Sequence, residues 1–163
     1  MCRALSFYAA SINGSAKVWI SEKTDSHSKI CDEFKLKDTG MIPLFAGEFY
    51  PDDKHPTPDV TKWEIHWDGA ATNASREAPT DAEFIAAVRK TVEREAKKYV
   101  WTSDDHEVSV RGWAFDSATI TTITGGVGIA SNNATIKTIT GGVGNAYGNA
   151  TITNDRRKEV KGN

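Results

Sequence analysis

The period of hydrophobic and polar positions changes several times along the chain. Residues 3–10 (RALSFYAA) and 16–22 (AKVWISE) are apolar, β-prone runs on either side of Asn13-Gly14. An Asn-Gly pair in that setting predicts a hairpin, because both central residues of a type I′ turn need positive φ. After Asp25-Ser26, a good N-cap, His27, Ile30, Cys31 and Phe34 share one helical face, which predicts a short helix over about 26–36. Residues 42–50 read as a strand. In the segment 62–68 (KWEIHWD), Trp63, Ile65 and Trp67 alternate with Lys62, Glu64 and His66, the pattern of a half-buried strand. From 80 to about 99, Phe84, Val88, Val92, Ala96 and Tyr99 form an apolar stripe, and Thr80 with Glu83 fits a capping box. The order is β-β-α-β-β-α, an α+β class with a small antiparallel sheet and both helices on one face.

Beyond residue 117 the pattern becomes a repeat. Residues 118–133 read ATITTITGGVGIASNN, residues 134–149 read ATIKTITGGVGNAYGN, and 150–154 read ATITN. The period is 16. RGWAFDS at 111–117 fits the end of a unit, so the array extends back to about residue 102 with a degenerate first unit. Self-similarity at fixed period means stacked structural units. Ala-x-Ile places two side chains inward around an outward Thr, and Gly and Asn supply corners that need positive φ. The expected architecture is a short β-solenoid, with a meander of hairpins as the alternative. The domains are then 1–101 α+β, 102–154 solenoid, and a basic polar tail at 155–163 expected to fray.

Charge sharpens this division. Residues 1–117 hold 15 basic and 20 acidic residues, whereas 118–154 hold one charge, Lys137. The whole chain of 163 residues carries a net charge of −2. That balance makes nucleic acid an unlikely partner. No stretch approaches the ~18 consecutive apolar residues of a membrane helix, and no basic start leads into an apolar leader core, so no membrane partner is expected. Two cysteines do not make a disulfide framework.

The opening Met1-Cys2-Arg3-Ala4-Leu5-Ser6, then Ser26-His27 leading Ile30, Phe34 and Leu36, then Trp63-Glu64-Ile65-His66-Trp67-Asp68, resembles a group of small phage and prophage proteins with pentapeptide-like C-terminal repeats. The 16-residue period departs from the five-residue period of true pentapeptide proteins. The resemblance implies a viral accessory protein acting in the bacterial host cytoplasm, with the virion as the alternative location. It implies no reaction.

Candidate chemistry is sparse. Cys2 is the one candidate nucleophile, exposed at the terminus if Met1 is removed. His27 and Cys31, four apart on one helix face, are weak candidate metal ligands; no second pair at metal spacing accompanies them. No cofactor is expected. Gly125-Gly126-Val127-Gly128 and its copy at 141–144 read as coil corners, since no helix follows to complete a phosphate site. Asp104, Asp105, His106 and Glu107 read as a solvated linker or a cation site. Threonine rows such as Thr119/Thr121 and Thr151/Thr153 resemble the ladders of ice-binding solenoids, broken at Lys137. Sequon matches such as Asn73-Ala74-Ser75 are chance in a chain rich in Asn and Thr.

These features favour a non-enzymatic binding protein, phage-encoded, contacting a bacterial or phage protein of defence or replication through outward coil residues Thr119, Thr121, Thr135, Lys137, Asn145, Tyr147 and Thr151. Tyr147 is the expected hot spot, because aromatic anchors dominate interfaces. The alternatives are a virion assembly protein that forms a homo-oligomer through its coils, and a Cys2-dependent enzyme or small-ligand binder.

Overall fold

The computed structural model describes residues 5–36, 42–52 and 56–156. These fall into two compact units. One runs up to Asp52 and resumes over Val60–Lys97; the other runs from Lys98 onward and includes the short segment before Val60.

In the first unit, strands β1 (Leu5–Ile12), β2 (Ser15–Trp19), β3 (Phe45–Tyr50) and β4 (Glu64–Trp67) form an antiparallel sheet in the order β2-β1-β3-β4. The hairpin turns at Asn13 and Gly14 with φ of 51° and 76°, the double positive φ that the Asn-Gly pair predicts. Helix α1 spans His27–Glu33 and helix α2 spans Ala82–Ala96.

The helices do not share a face, which corrects the expectation. Tyr8, Ala10, Leu44 and Ala46 pack with Ile30, Cys31 and Leu36 on the α1 side. The alternate residues Phe7 and Phe45 meet Trp67 edge-on at 5.6 and 6.1 Å, and Phe45 meets Phe84 of α2 at 5.6 Å. The reason lies in β1: Leu5–Ala10 is buried without alternation, as a strand covered on both faces must be. Phe7 crosses over Gly47, where an added Cβ would lie 2.5 Å from its ring.

Helix boundaries also shift. Asp81, not Thr80, caps α2, its Oδ1 accepting from the Glu83 and Phe84 amides at 2.9 and 3.1 Å. Aspartate is at least as good a cap as threonine, and it stands one residue nearer the first buried position, Phe84. The expected stripe of Phe84, Val88, Val92 and Ala96 is buried. Arg89 fastens this helix to the sheet, donating to the Thr61 and Trp63 carbonyls at 2.8 and 2.7 Å. Helix α1 ends early; Lys35 turns to positive φ, Phe34 is left exposed, and Leu36 takes the buried place.

The second unit is a β-solenoid of about four turns. Its strands are β5 (Val100–Trp101), β6 (Asp105–Val108), β7 (Arg111–Ala114), β8 (Thr119–Ile123), β9 (Val127–Ala130), β10 (Thr135–Ile139), β11 (Val143–Ala146) and β12 (Thr151–Asp155). They alternate between two sheets, β11-β9-β7-β5 and β12-β10-β8-β6. Every pairing is parallel, which excludes the meander of hairpins. Thr119, Thr135 and Thr151 face one another at the 16-residue period, and so do Arg111 and Val127. The first turn is shorter: Asp105 faces Thr119, and the register slips between His106 and Glu107.

Ala118, Ile120, Ile123 and Ala130, with Ala134, Ile136 and Ile139 one turn on, fill the centre. Gly128 is glycine because the Ile123 δ-carbon would lie 2.4 Å from its Cβ. One corner places Asp116, Asn132 and Gly148, each 16 apart, at positive φ, and the Asn132 amide donates to Asp116 Oδ1 at 3.0 Å.

Candidate functional site

Cys2 lies outside the described residues. The other two chemical candidates sit in the α1 face of the first unit and are already engaged. His27 is buried; its Nε2 lies 3.2 Å from the Gly47 carbonyl oxygen and its Nδ1 lies 3.5 Å from Asp68 Oδ2. Its ring stands edge-on to Tyr8 at 5.4 Å. Cys31 is buried, and its Sγ accepts from Asn73 Nδ2 at 3.3 Å. This is a latch joining α1, β3 and the segment after β4. Tyr8 completes it by donating to the Thr72 carbonyl at 2.6 Å. Burial pushes the Tyr8 phenol well above the ordinary tyrosine range, and the proximity of Cys31 and Asp68 adds to the rise. Among the described residues, no three His, Cys, Asp or Glu side chains cluster so as to hold a metal.

The acidic run at 104–107 is not a linker. Asp104 takes φ of 65° and turns the chain into β6. His106 stacks flat on Trp101 at 4.2 Å, and Asp105 meets Lys137 Nζ at 3.5 Å. The run is the corner and strand of the first turn.

Six of the seven outward candidates fall on two sheets. Thr119, Thr121, Thr135, Lys137 and Thr151 belong to β8, β10 and β12. Thr119, Thr135 and Thr151 form one aligned row, with the Thr135 and Thr151 hydroxyls 3.4 Å apart. Thr121 and Lys137 stand between ladder positions: pairing skips from Ile120–Ile136 to Thr122–Thr138. The Thr121 hydroxyl turns back to donate to the His106 carbonyl at 2.9 Å. Thr119 and Thr121 therefore do not build two parallel rows of the kind expected for ice binding. Asn145 lies on β11, in the other sheet, with its Nδ2 buried and without an acceptor. Tyr147 follows that strand, is half-buried, and donates its amide to the Ala130 carbonyl at 2.9 Å.

Two features escape sequence reasoning. Thr122, Thr138 and Asn154 form a second aligned row beside the first; their signal was the same period, one position before the inward Ile123 and Ile139. The last turn also opens its interior. Ala146 is exposed and Ile152 is 38% exposed, whereas Ala130 and Ile136, their counterparts one turn earlier, are fully buried.

A shallow cavity of about 410 Å³ lies between the β1–β2 hairpin and the start of α2, lined by Ser11, Ser15, Asp81 and Phe84 among others. Of its two carboxylates, Asp81 and Glu83, Asp81 is occupied with capping. No helix among the described residues is long and apolar enough to cross a membrane. The chain matches no protein-family pattern, no curated protein and no solved structure.

Proposed function

We propose that this chain is a non-enzymatic binding protein that contacts another protein through the outward face of β8, β10 and β12. The observation that carries this reading is the pair of aligned hydroxyl and amide rows, Thr119/Thr135/Thr151 and Thr122/Thr138/Asn154, on a regular parallel sheet. The one charge within 118–154, Lys137, is paired with Asp105. Such a face offers hydrogen bonding and β-branched packing surface without the cluster of cations that a polyanion requires. The engagement of both His27 nitrogens and of the Cys31 sulfur supports a structural role for the one described cluster with chemical character. The resemblance noted above supplies the setting: a phage product acting on a bacterial protein of defence or replication.

The test is affinity capture with the full chain, followed by titration of the purified partner against Thr135→Arg and Thr119→Arg variants. Each substitution is expected to weaken binding by roughly tenfold or more if the face lies at the centre of the contact. A captured partner that binds both variants as tightly as the parent overturns the assignment of the face.

A further inference from the structure

The last turn carries a separate inference, on a surface distinct from the outward threonine face. In each inner turn, Ala and Ile side chains are sealed by the next 16 residues. Past β11 and β12 no described strand continues either sheet. Ile152, exposed at 38%, and exposed Ala146 stand at that end. Edge strands in monomeric proteins are usually blunted by Pro, Lys or a bulge. β12 (TITND) contains neither residue, and its pairing with β10 keeps one register from Thr151 to Asp155; its single charge, Asp155, stands at the strand's end opposite Ile139. The residues that follow, 157–163 (RKEVKGN), do not repeat the Ala-x-Ile pattern that forms each turn; they hold four charges and one apolar residue, Val160.

We propose that this open end is a self-association surface, pairing with the same end of a second copy of the chain about a two-fold axis. An axis lying across the strands sets β12 antiparallel to its counterpart and β11 antiparallel to its own at the same time, and it brings Ile152 toward Ile152. In such a contact a residue meets its own copy only on the axis, and elsewhere residue i of one copy meets residue j of the other. The one charge on β11 and β12 is Asp155, at the far end of β12; with Ile152 on the axis, antiparallel pairing sets it opposite position 149 and away from its own copy, so the two ends meet with little repulsion. The opposite end of the solenoid is unsuited to this contact. There Trp101 packs on the core and is stacked by His106, and β6 carries Asp105 and Glu107. A head-to-tail contact would lay the apolar end on that charged, filled turn; the end-to-end contact is self-complementary and closes at two copies.

The experiment is sedimentation velocity of the full chain over roughly a hundredfold range of concentration. The expected mass rises from 17.8 kDa to twice that value and stops. Ile152→Glu and Ala146→Glu, on different strands, are each expected to weaken the dimer by roughly tenfold or more with unchanged circular dichroism. Thr119→Arg, on the threonine face, is expected to leave it intact. Removal of residues 157–163 is also expected to leave it intact. A mass of 17.8 kDa throughout overturns the proposal. So does a dimer indifferent to both Glu substitutions, or a mass that climbs past two copies. A full chain that dimerises only once 157–163 are removed overturns it as well, and names the chain's own tail as the occupant.

Discussion

Ile136 and Ile152 occupy the same place in successive turns of the solenoid, paired directly in register. Ile136 is fully buried and Ile152 is 38% exposed. Ala130 and Ala146 repeat the contrast in the other sheet. The residues are alike and their local backbone is alike; what differs is that a further described turn covers Ile136 and none of the described turns covers Ile152. A repeat therefore fixes conformation turn by turn, while the energetic worth of each side chain is set by its neighbour along the stack. The first turn meets the same problem differently. It ends in Trp101, which packs on the core, with His106 stacked on the tryptophan ring.

Two corners of the solenoid give a second contrast, with the largest expected effect. Gly126 and Gly148 have nearly the same φ, +64° and +63°. A Cβ on Gly126 would lie 1.7 Å from the Val110 carbonyl oxygen of the preceding turn, whereas a Cβ on Gly148 meets nothing nearer than 3.7 Å. Replacement by Ala costs about 1–2 kcal/mol at either site for the left-handed conformation. Only Gly126→Ala adds a collision with backbone, so its total cost is expected to exceed about 4 kcal/mol. Urea denaturation of the two variants checks this. Equal losses would mean that the turns slide apart freely and that the stack is not close-packed at its corners.

The isoleucines come next. Ile136→Ala is expected to cost about 3 kcal/mol, because it leaves a cavity inside a sealed turn. Ile152→Ala is expected to cost about 1 kcal/mol or less, because the site already meets solvent. A large loss at Ile152, measured well above any dimerisation threshold, would show the open end to be covered in solution and would sharpen the self-association proposal.

Much of this was legible in the sequence, and the parts that were not have physical causes. The 16-residue period disclosed the turns, the inward Ala and Ile and the glycine corners, because each is a strictly local demand repeated in every unit. The Asn13-Gly14 turn and the stripe of α2 were legible for the same reason. The placement of the helices on opposite faces depends on which side of β1 each one covers, a non-local fact. Its one trace was the apolar run from Leu5 to Ala10, which is interrupted only by Ser6 and does not alternate. The split of the candidate residues between two sheets was hidden because Ile120 and Ile123 both point inward with two residues between them, so simple alternation fails at Thr121 and Lys137. The engagement of His27 was equally non-local: Gly47 and Asp68 are distant in sequence.

The α+β unit provides the other half of the comparison, since its anchors occur once and have no copy in a neighbouring turn. Asp81→Ala should cost about 1 kcal/mol by freeing the Glu83 and Phe84 amides, while Thr80→Ala should stay within about 0.5 kcal/mol. Thermal denaturation distinguishes them. The reverse ranking would restore Thr80 as the cap.

The smallest expected effect is electrostatic and equally local. The Ser21 hydroxyl donates to Glu33 Oε2 at 2.6 Å, and Lys23 Nζ lies 3.5 Å from the other oxygen. The Ser21 hydrogen bond, helped by Lys23, holds the Glu33 carboxyl below the ordinary glutamate range. A depressed carboxylate stabilises the fold above its unfolded-state value, and that contribution disappears as pH falls through the folded one. Glu33 is exposed enough for solvent to screen most of the Coulombic part, so the hydrogen bond matters more than the ion pair. Ser21→Ala should therefore lower the denaturation midpoint slightly at neutral pH, and the gap from the parent should narrow as pH falls below the ordinary glutamate range. Lys23→Ala should produce a smaller gap that salt erases. A Ser21→Ala deficit that is constant with pH would assign the residue a packing role alone, consistent with its full burial, and would remove Glu33 from the account of how the segment after β2 is held against α1.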